Sequence, residues 1–203
     1  RGRTMVCVGR AQPFHTAPAR YETLAALPHP GCFHHAPSQI SVSTVGIPEG
    51  MLRSARRFPR VRLALSLHSA REEVRQRIIP NALRVSLAEL RATVEEVTSI
   101  QGQPVMLEYL MLEGTNDGDL CQQALVEWAE GLSVHINLIP YNPIADAPEL
   151  RSTPKPRREA FANALKARGF KVPLRYSLGA DVTAACGQLV RDENRRTSDQ
   201  MRS

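Results

Sequence analysis

The chain has 203 residues, of which 42% are hydrophobic, and its 26 Lys and Arg outnumber its 20 Asp and Glu to give a formal charge of +6. This length suffices for one domain with a buried core, while the lack of an apolar run of roughly 18 residues argues against a membrane-spanning protein. We therefore expect a cytoplasmic protein whose positive charge favours a polyanionic partner such as nucleic acid.

Short apolar runs alternate with amphipathic segments along the whole chain. The apolar runs predict strands at 5–9, 40–45, 61–67, 105–112, 135–139 and 171–177. The amphipathic segments predict helices at 19–26, 51–58, 70–79, 87–100, 119–132 and 156–169. Such an alternation of strand and helix predicts an α/β fold with a parallel sheet covered by helices, because parallel strands need crossover connections.

Local signals mark several helix ends. Ser86 and Glu89 form a capping box, Asn116 or Asp117 can cap the helix at 119–132, and Gly169 suits a helix stop. The polar stretch 191–203 has almost no apolar residues, so we predict a core domain over 1–190 followed by a disordered tail.

Small polar residues collect where the predicted strands end, which is where parallel α/β proteins bind ligands. In chain order these segments are VGRAQP at 8–13, STVG at 43–46, SLH at 66–68, LEGTND at 112–117, NLIPYNP at 137–143 and GADVTAACGQL at 179–189. Read alone, the serines suit ordinary turns and His68 suits a partly buried, hydrogen-bonded imidazole.

Four of these segments in series resemble the RlmN/Cfr family of radical S-adenosylmethionine (SAM) RNA methyltransferases. They are ISVSTVG at 40–46, LALSLHS at 63–69, INLIPYNP at 136–143 and AACGQL at 184–189, and the resemblance spans residues 5–189. It implies a partial radical-SAM barrel of the TIM-like (β/α)6 type with parallel strands, from which the N-terminal strand and the cluster loop are missing.

The resemblance also implies which residues contact SAM. By position they are Ala11, Gln12, Ser43, Ser66, Leu67, His68 and Asn142. Hydroxyls, strand-end backbone groups and an amide can together hold a ribose, an adenine edge and a carboxylate. Ala11 and Gln12 replace a Gly-Glu pair of the family, and Gln12 offers no negative charge to the amino group of SAM.

Cys186 matches the family's methyl carrier. Carbon 2 of adenine lies between two ring nitrogens and cannot displace a methyl group from SAM directly. The resemblance implies that one SAM methylates the Cys186 thiolate, that a second SAM cleaved at a [4Fe-4S] cluster activates the S-methyl group, and that a second cysteine releases the product. It implies ribosomal RNA, or also transfer RNA, as substrate, and an electron donor for the cluster.

The sequence departs from the family in two further places. It contains no CxxxCxxC motif, so we expect the cluster ligands and the resolving cysteine upstream of these residues, which alone would be inactive. Before Cys186, SLGADVT at 177–183 lacks an arginine and a carboxylate that the family has there. The alternative function is a catalytically decayed, non-enzymatic RNA-binding relative.

Two weaker alternatives concern metal and RNA. Cys32, His34 and His35, with His15 or Cys7, could bind a metal ion, although their spacing is not that of a zinc site and a solvated loop explains them. Two basic clusters could contact RNA or be ordinary solvated helix faces. They are Arg53, Arg56, Arg57, Arg60 and Arg62, and Lys155, Arg157, Arg158 and Lys166.

Overall fold

A computed structural model describes residues 5–7, 22, 36–79, 85–143, 147 and 149–173. The strands in these ranges are β1 Met5–Cys7, β2 Ile40–Thr44, β3 Arg62–Ser66, β4 Val105–Met111 and β5 Val134–Pro140. The helices are α1 Pro48–Arg57, α2 Glu72–Ile78, α3 Leu87–Gln101, α4 Asp119–Ala129 and α5 Lys155–Ala167, with a 3-10 turn at Pro37–Gln39.

The five strands form one sheet in the order β1-β2-β3-β4-β5, and every neighbouring pair is parallel. This confirms the predicted α/β fold with a parallel sheet. Lys171 forms an isolated parallel bridge to His135, and its carbonyl accepts from the Ile136 amide at 2.9 Å. The predicted sixth strand thus meets β5 at its first residue, while 174–177 lie outside the described residues.

The two faces of the sheet differ because successive strand residues point to opposite sides. On β4, Leu107 and Tyr109 are fully buried, and the Tyr109 ring lies 5.6 Å from that of Phe161 on α5. The alternate residue Glu108 is only partly buried and faces the other way. Apolar packing against the helices therefore occupies one face, and the opposite face is left for polar side chains.

Two predicted helix ends are confirmed. The Ser86 hydroxyl accepts from the Glu89 amide at 3.1 Å, and Gly169, at φ +87°, ends α5 with its amide donating to Lys166 at 2.9 Å. α1 begins earlier than predicted because Pro48 can occupy a first turn, where its missing N–H is not needed. Gly46, in the STVG segment, has φ +98°, and a Cβ there would collide with Leu90.

The predicted cap of α4 is wrong. Its N-cap is Gly118, which has no side chain to accept a bond. The side-chain oxygens of Asn116 and Asp117 instead accept from the amides of Leu112 and Gly114, at 2.8 and 2.9 Å. Both side-chain oxygens therefore accept hydrogen bonds within the loop after β4 and are not used by the first amides of α4.

Two predicted segments fall outside the description. Of the helix at 19–26 only Glu22 is described, as helical, and the tail at 191–203 is not described at all, so the division at residue 190 stays a prediction. Among the described helices, none combines the length and the apolar character that a membrane crossing requires.

Candidate functional site

Four polar side chains share the side of the sheet opposite the helix-packed face, which we call the polar face: Ser43 on β2, Ser66 on β3, Glu108 on β4 and Asn137 on β5. Register partners point to the same side, and Ser66 pairs with Glu108, which pairs with Asn137. Ser43 pairs with Ala64, two residues before Ser66. Four neighbouring strands therefore present one polar group each to the same space.

Glu108 connects the two serines. Its Oε2 accepts a hydrogen bond from Ser43 Oγ at 2.6 Å and another from Ser66 Oγ at 3.1 Å, and the two hydroxyl oxygens lie 3.3 Å apart. With their hydrogens directed to the carboxylate, both hydroxyls keep lone pairs that can accept further bonds. The cluster is accordingly rich in acceptors.

Asn137 adds another acceptor beside this cluster. The residue is 3% exposed, and its Oδ1 has no hydrogen-bond partner among the described residues. A buried amide oxygen without a partner costs about 1–3 kcal/mol, so such atoms are normally satisfied by a ligand or by water. Asn137 therefore leaves a buried acceptor beside the serine–glutamate cluster that no described residue satisfies.

The chain turns sharply where β3 ends. The amides of Leu67 and His68 both donate to the Glu108 carbonyl, at 3.1 and 3.2 Å, so the turn stays bonded to β4. His68 has φ +57°, a left-handed conformation that costs a residue other than glycine about 1 kcal/mol or more. Its Nδ1 accepts from the Leu110 amide at 3.0 Å. The His68 side chain is thus the hydrogen-bonded, partly buried imidazole of the simpler interpretation.

Asn116 holds this turn in place. The side chain is fully buried, and its Nδ2 donates to the carbonyls of His68 and Leu110 at 2.7 and 2.6 Å. Its Oδ1 accepts from the Leu112 amide at 2.8 Å, and its own carbonyl accepts from the Tyr109 hydroxyl at 2.8 Å. We call these bonds the Asn116 clasp, because one side chain joins the β3 turn to the end of β4.

Burial, and to a lesser extent the positive charge of Arg75, lower the pKa of His68 to about 4, although a backbone hydrogen bond at Glu108 opposes the shift. In the unfolded chain His68 therefore becomes protonated as the pH falls through about 6.5, whereas in the folded chain it becomes protonated only near pH 4. Stability from neutral His68 is fully present above about pH 6.5 and is lost as the pH falls towards about 4.

We expect the free energy of unfolding to fall by about 2 kcal/mol between pH 7 and pH 5 on account of His68. Urea unfolding at both pH values measures it. His68→Asn, which tolerates the left-handed conformation but does not titrate, is the control and should remove this part of the pH dependence. Equal pH dependence in both proteins would contradict the assignment, since contributions from other groups cancel in the difference.

The predicted SAM contacts are brought together only in part. Ser43 and Ser66 share Glu108, and Leu67 and His68 form the adjoining turn, whereas Asn142 lies beyond the end of β5 with an exposed side chain. Ala11, Gln12 and Cys186 lie outside the described residues. The SAM-contact assignments therefore stay predictions.

Sequence reasoning missed Glu108, Asn137 and Asn116. A signal existed for Glu108, since a carboxylate flanked by Leu107 and Tyr109 in an alternating strand must face the other side. Asn137 carried a weaker signal of the same kind in INLIP. No local signal distinguished the clasp role of Asn116 from helix capping.

The basic clusters are partly engaged within the chain. Arg157 donates to the Asp117 carbonyl and to Asp119 Oδ1, both at 2.7 Å, and Arg158 donates to the Thr153 carbonyl at 2.7 Å. In the other cluster, Arg56 pairs with Glu96 at 2.8 Å on the exposed surface. Arg157 thus anchors α5 to the start of α4, and Arg158 bonds to the segment just before its own helix, which favours a structural role for both.

The proposed metal ligands Cys32, His34, His35 and His15, and the side chain of Cys7, lie outside the described residues. Within the described ranges, no group of three His, Cys, Asp or Glu side chains is arranged to hold a metal ion. This alternative stays a prediction for the undescribed segment.

Comparison with known proteins finds close relatives. The chain is 46% identical over 198 residues to a probable RNA methyltransferase of Rhodopirellula baltica, covering 98% of this chain and 52% of that protein. It is 39% identical over 187 residues to a probable dual-specificity RNA methyltransferase RlmN of Thermus thermophilus, covering 92% and 52%. The chain thus spans about half the length of the curated relatives it matches. No family model matches.

Two solved structures are also similar to this chain. The crystal structure of a radical SAM methyltransferase from Sphaerobacter thermophilus superimposes with a TM-score of 0.85 at 34% identity, over 91% of this chain and 54% of that one. A domain of pyruvate-formate lyase-activating enzyme from Bacteroides vulgatus matches with a TM-score of 0.63 at 17% identity, over 86% of this chain and 100% of that one. The second likeness shows the fold alone.

Proposed function

Because this chain belongs to the RlmN/Cfr family of radical SAM methyltransferases, we propose that the protein transfers a methyl group from SAM to an adenine of RNA. The predicted radical-SAM fold class is confirmed by the Sphaerobacter structure. The names of the relatives, which describe RNA methyltransferases, support RNA as the substrate. We propose ribosomal RNA as the first substrate to test and transfer RNA as the second.

The observation that carries the proposal is the polar face. Ser43, Ser66 and Glu108 form a hydrogen-bonded cluster beside the buried, unpartnered oxygen of Asn137. These groups fit SAM, whose ribose hydroxyls and amino group need acceptors. Ser43 and Ser66, whose hydrogens are directed to Glu108, would accept hydrogen bonds from SAM, and the backbone of the Leu67–His68 turn would border it.

Cys186 is proposed to carry the methyl group to carbon 2 of adenine. SAM and a reduced [4Fe-4S] cluster supply, when bound, a methyl group and the one-electron chemistry that an unactivated ring carbon requires. The protein's own contribution is a thiolate at Cys186, the nucleophilic form of the side chain, which accepts the methyl group by displacement. Carbon 2 cannot take the methyl group from SAM directly, as an amine can, because that carbon is not nucleophilic.

The described residues do not fit the cluster. Cys121 is the one cysteine whose side chain is described, and it lies on α4, buried, with its pKa raised by burial. A cluster needs several thiolates around one position. Because the sequence also has no CxxxCxxC motif, we propose that the cluster ligands, like the electron donor that serves the cluster, are not among these 203 residues.

The substitution at position 12 favours a second candidate function, the non-enzymatic RNA-binding relative. Gln12 stands where the family has a glutamate, so a negative charge for the amino group of SAM is missing at that position. A protein that binds RNA but not SAM would satisfy this alternative.

The test is mass spectrometry of RNA after incubation of the reconstituted full-length protein with SAM and a reductant. We expect a methylated adenine in ribosomal RNA and, in a separate reaction, measure transfer RNA. The position of the methyl group on the ring follows from comparison with synthetic 2-methyladenosine and 8-methyladenosine. Unmodified adenine together with measurable RNA binding would favour the non-enzymatic alternative.

A further inference from the structure

Arg75 is a charged side chain in the interior of the protein. It lies in the middle of α2 and is 2% exposed, although a guanidinium is not deprotonated in proteins. Burial lowers the pKa of Arg75, and the negative charge of Glu72 on the same helix opposes this shift. Glu72 Oε2 accepts instead from the Leu87 amide at 3.2 Å, and no described carboxylate forms an ion pair with Arg75. The positive charge is therefore buried without a direct counter-ion among the described residues.

Stability does not explain a charge buried in this way. Replacing buried ionic groups by apolar residues of similar volume is often neutral or stabilising. The Nε of Arg75 also has no hydrogen-bond partner among the described residues. Within that part of the chain, the guanidinium makes one hydrogen bond, from Nη2 to the Val45 carbonyl oxygen at 2.6 Å. The role of Arg75 therefore lies in the segment that this bond holds.

The Val45 carbonyl belongs to the turn that follows β2. Val45 comes two residues after Ser43 and directly before Gly46. Gly46 has φ +98°, and a Cβ at this position would collide with Leu90 on α3. The turn is thus packed against α3 at Gly46 and bonded to α2 by Arg75. These two contacts fix the direction in which the end of β2 presents Ser43.

The same guanidinium lies close to the turn after β3. Burial, and then the positive charge of Arg75, lower the pKa of His68 in that turn, so the two side chains are neighbours. The turn also leads directly into α2, because Ser69 Oγ accepts from the Arg71 amide at 3.0 Å and the Arg71 carbonyl accepts from the Arg75 amide at 2.9 Å. Arg75 therefore links the ends of β2 and β3, the two strands that carry the serine hydroxyls.

We propose that Arg75 is a positioning residue for SAM binding: its guanidinium holds the turns after β2 and β3 in the arrangement that admits the ligand, without touching the ligand. The bond from Ser43 Oγ to Glu108 is 2.6 Å long, and a hydrogen bond weakens steeply when its atoms move apart or out of line. A shift of the Val45 carbonyl would move Ser43 and break this geometry. The inference rests on the proposed function, because it assumes that SAM binds at the polar face.

The test separates stability from affinity in the reconstituted full-length protein. Arg75→Met fills a similar volume but has neither the charge nor the donor. Its melting temperature is expected to stay within about 5 °C of wild type. Its dissociation constant for S-adenosylhomocysteine, measured by isothermal titration calorimetry, is expected to rise on the order of tenfold, as when a residue that orients the ligands of a metal site is removed.

Two further variants make the result specific. Arg75→Lys retains a charge and a donor, so its loss of affinity should be smaller than that of Arg75→Met. Arg77→Met, the same substitution at an exposed position of α2, is the matched control and should change neither quantity. Hydrogen exchange of the segment 43–47, measured without ligand, reports on the turn itself. It should be faster in Arg75→Met than in wild type or Arg77→Met, because the turn loses its bond to α2.

The outcomes separate this inference from the proposed function. If Arg75→Met binds S-adenosylhomocysteine as tightly as wild type, or exchanges 43–47 no faster, the positioning role is overturned while the proposed function stands. A melting temperature that falls by more than about 5 °C together with the affinity would make Arg75 a structural residue and would also overturn it. An Arg75→Lys protein as weak as Arg75→Met would do the same. If wild type binds no S-adenosylhomocysteine, the proposed function fails and this inference fails with it.

Discussion

Replacing Asn116 by alanine is expected to lower the free energy of unfolding by about 3–5 kcal/mol. The substitution leaves the carbonyls of His68 and Leu110 and the amide of Leu112 without their partner, in a position that is fully buried. A chain of this size loses about 2–4 °C of melting temperature per kcal/mol, so the midpoint should fall by roughly 10 °C.

Urea unfolding followed by the fluorescence of Trp128, the one tryptophan of the 203 residues, measures this change. Asn116→Asp tests the direction of the bonds, because it retains an acceptor for Leu112 but sets a carboxylate against two carbonyl oxygens. It should destabilise at least as much as alanine. The matched control is Asn142→Ala, the same substitution at an exposed position, expected within about 0.5 kcal/mol of wild type. An Asn116→Ala protein that loses less than about 1 kcal/mol would show that the clasp does not stabilise the turn.

Replacing Cys186 by alanine is expected to abolish methyl transfer to RNA. The proposed route passes every methyl group through the Cys186 sulfur, so no partial activity should survive. Two readouts of the same reaction are needed: methylated adenine in the RNA, and methylation of the Cys186 peptide, each measured by mass spectrometry. Wild type should show both and the variant neither.

Cys121→Ala provides the matched control for Cys186. Cys121 is buried on α4, where its sulfur lies 3.9 Å from the Thr115 carbonyl oxygen, so its loss should cost some stability but leave methylation intact. SAM binding by the Cys186→Ala protein must also be retained, since the substitution removes a methyl acceptor and not a predicted SAM contact. Methylated adenine produced by the Cys186→Ala protein would overturn the carrier proposal.

The strands and their parallel arrangement were predictable because both follow from the local pattern of apolar and polar residues. β2 and β5 are short apolar runs separated by amphipathic segments, and no arrangement other than a parallel sheet accommodates that alternation easily. The serine at the end of β3 and the one near the end of β2 were predicted to lie at the same edge of the sheet, since parallel strands end at one edge. Their hydroxyls lie 3.3 Å apart.

The partners of these serines were not predictable. Ser43 and Glu108 are 65 residues apart, and their contact depends on the register of β2, β3 and β4, which no local pattern specifies. Asn116 illustrates the same limit at short range. Its position before α4 predicts a cap, but the turn after β3, 48 residues away, supplies a carbonyl that binds its amide.

The sequence by itself determined the α/β class, the succession of strands and helices along the chain and the ends of the strands at which polar residues gather, because each depends on hydrophobic periodicity and short-range turn chemistry. Only the tertiary structure decided that Glu108 joins Ser43 to Ser66, that Asn137 stands unpartnered beside them, and that Asn116 holds the His68 turn. The physical reason is that the packing of distant segments sets the strand register. The register in turn decides which buried polar groups lie within hydrogen-bond distance of each other.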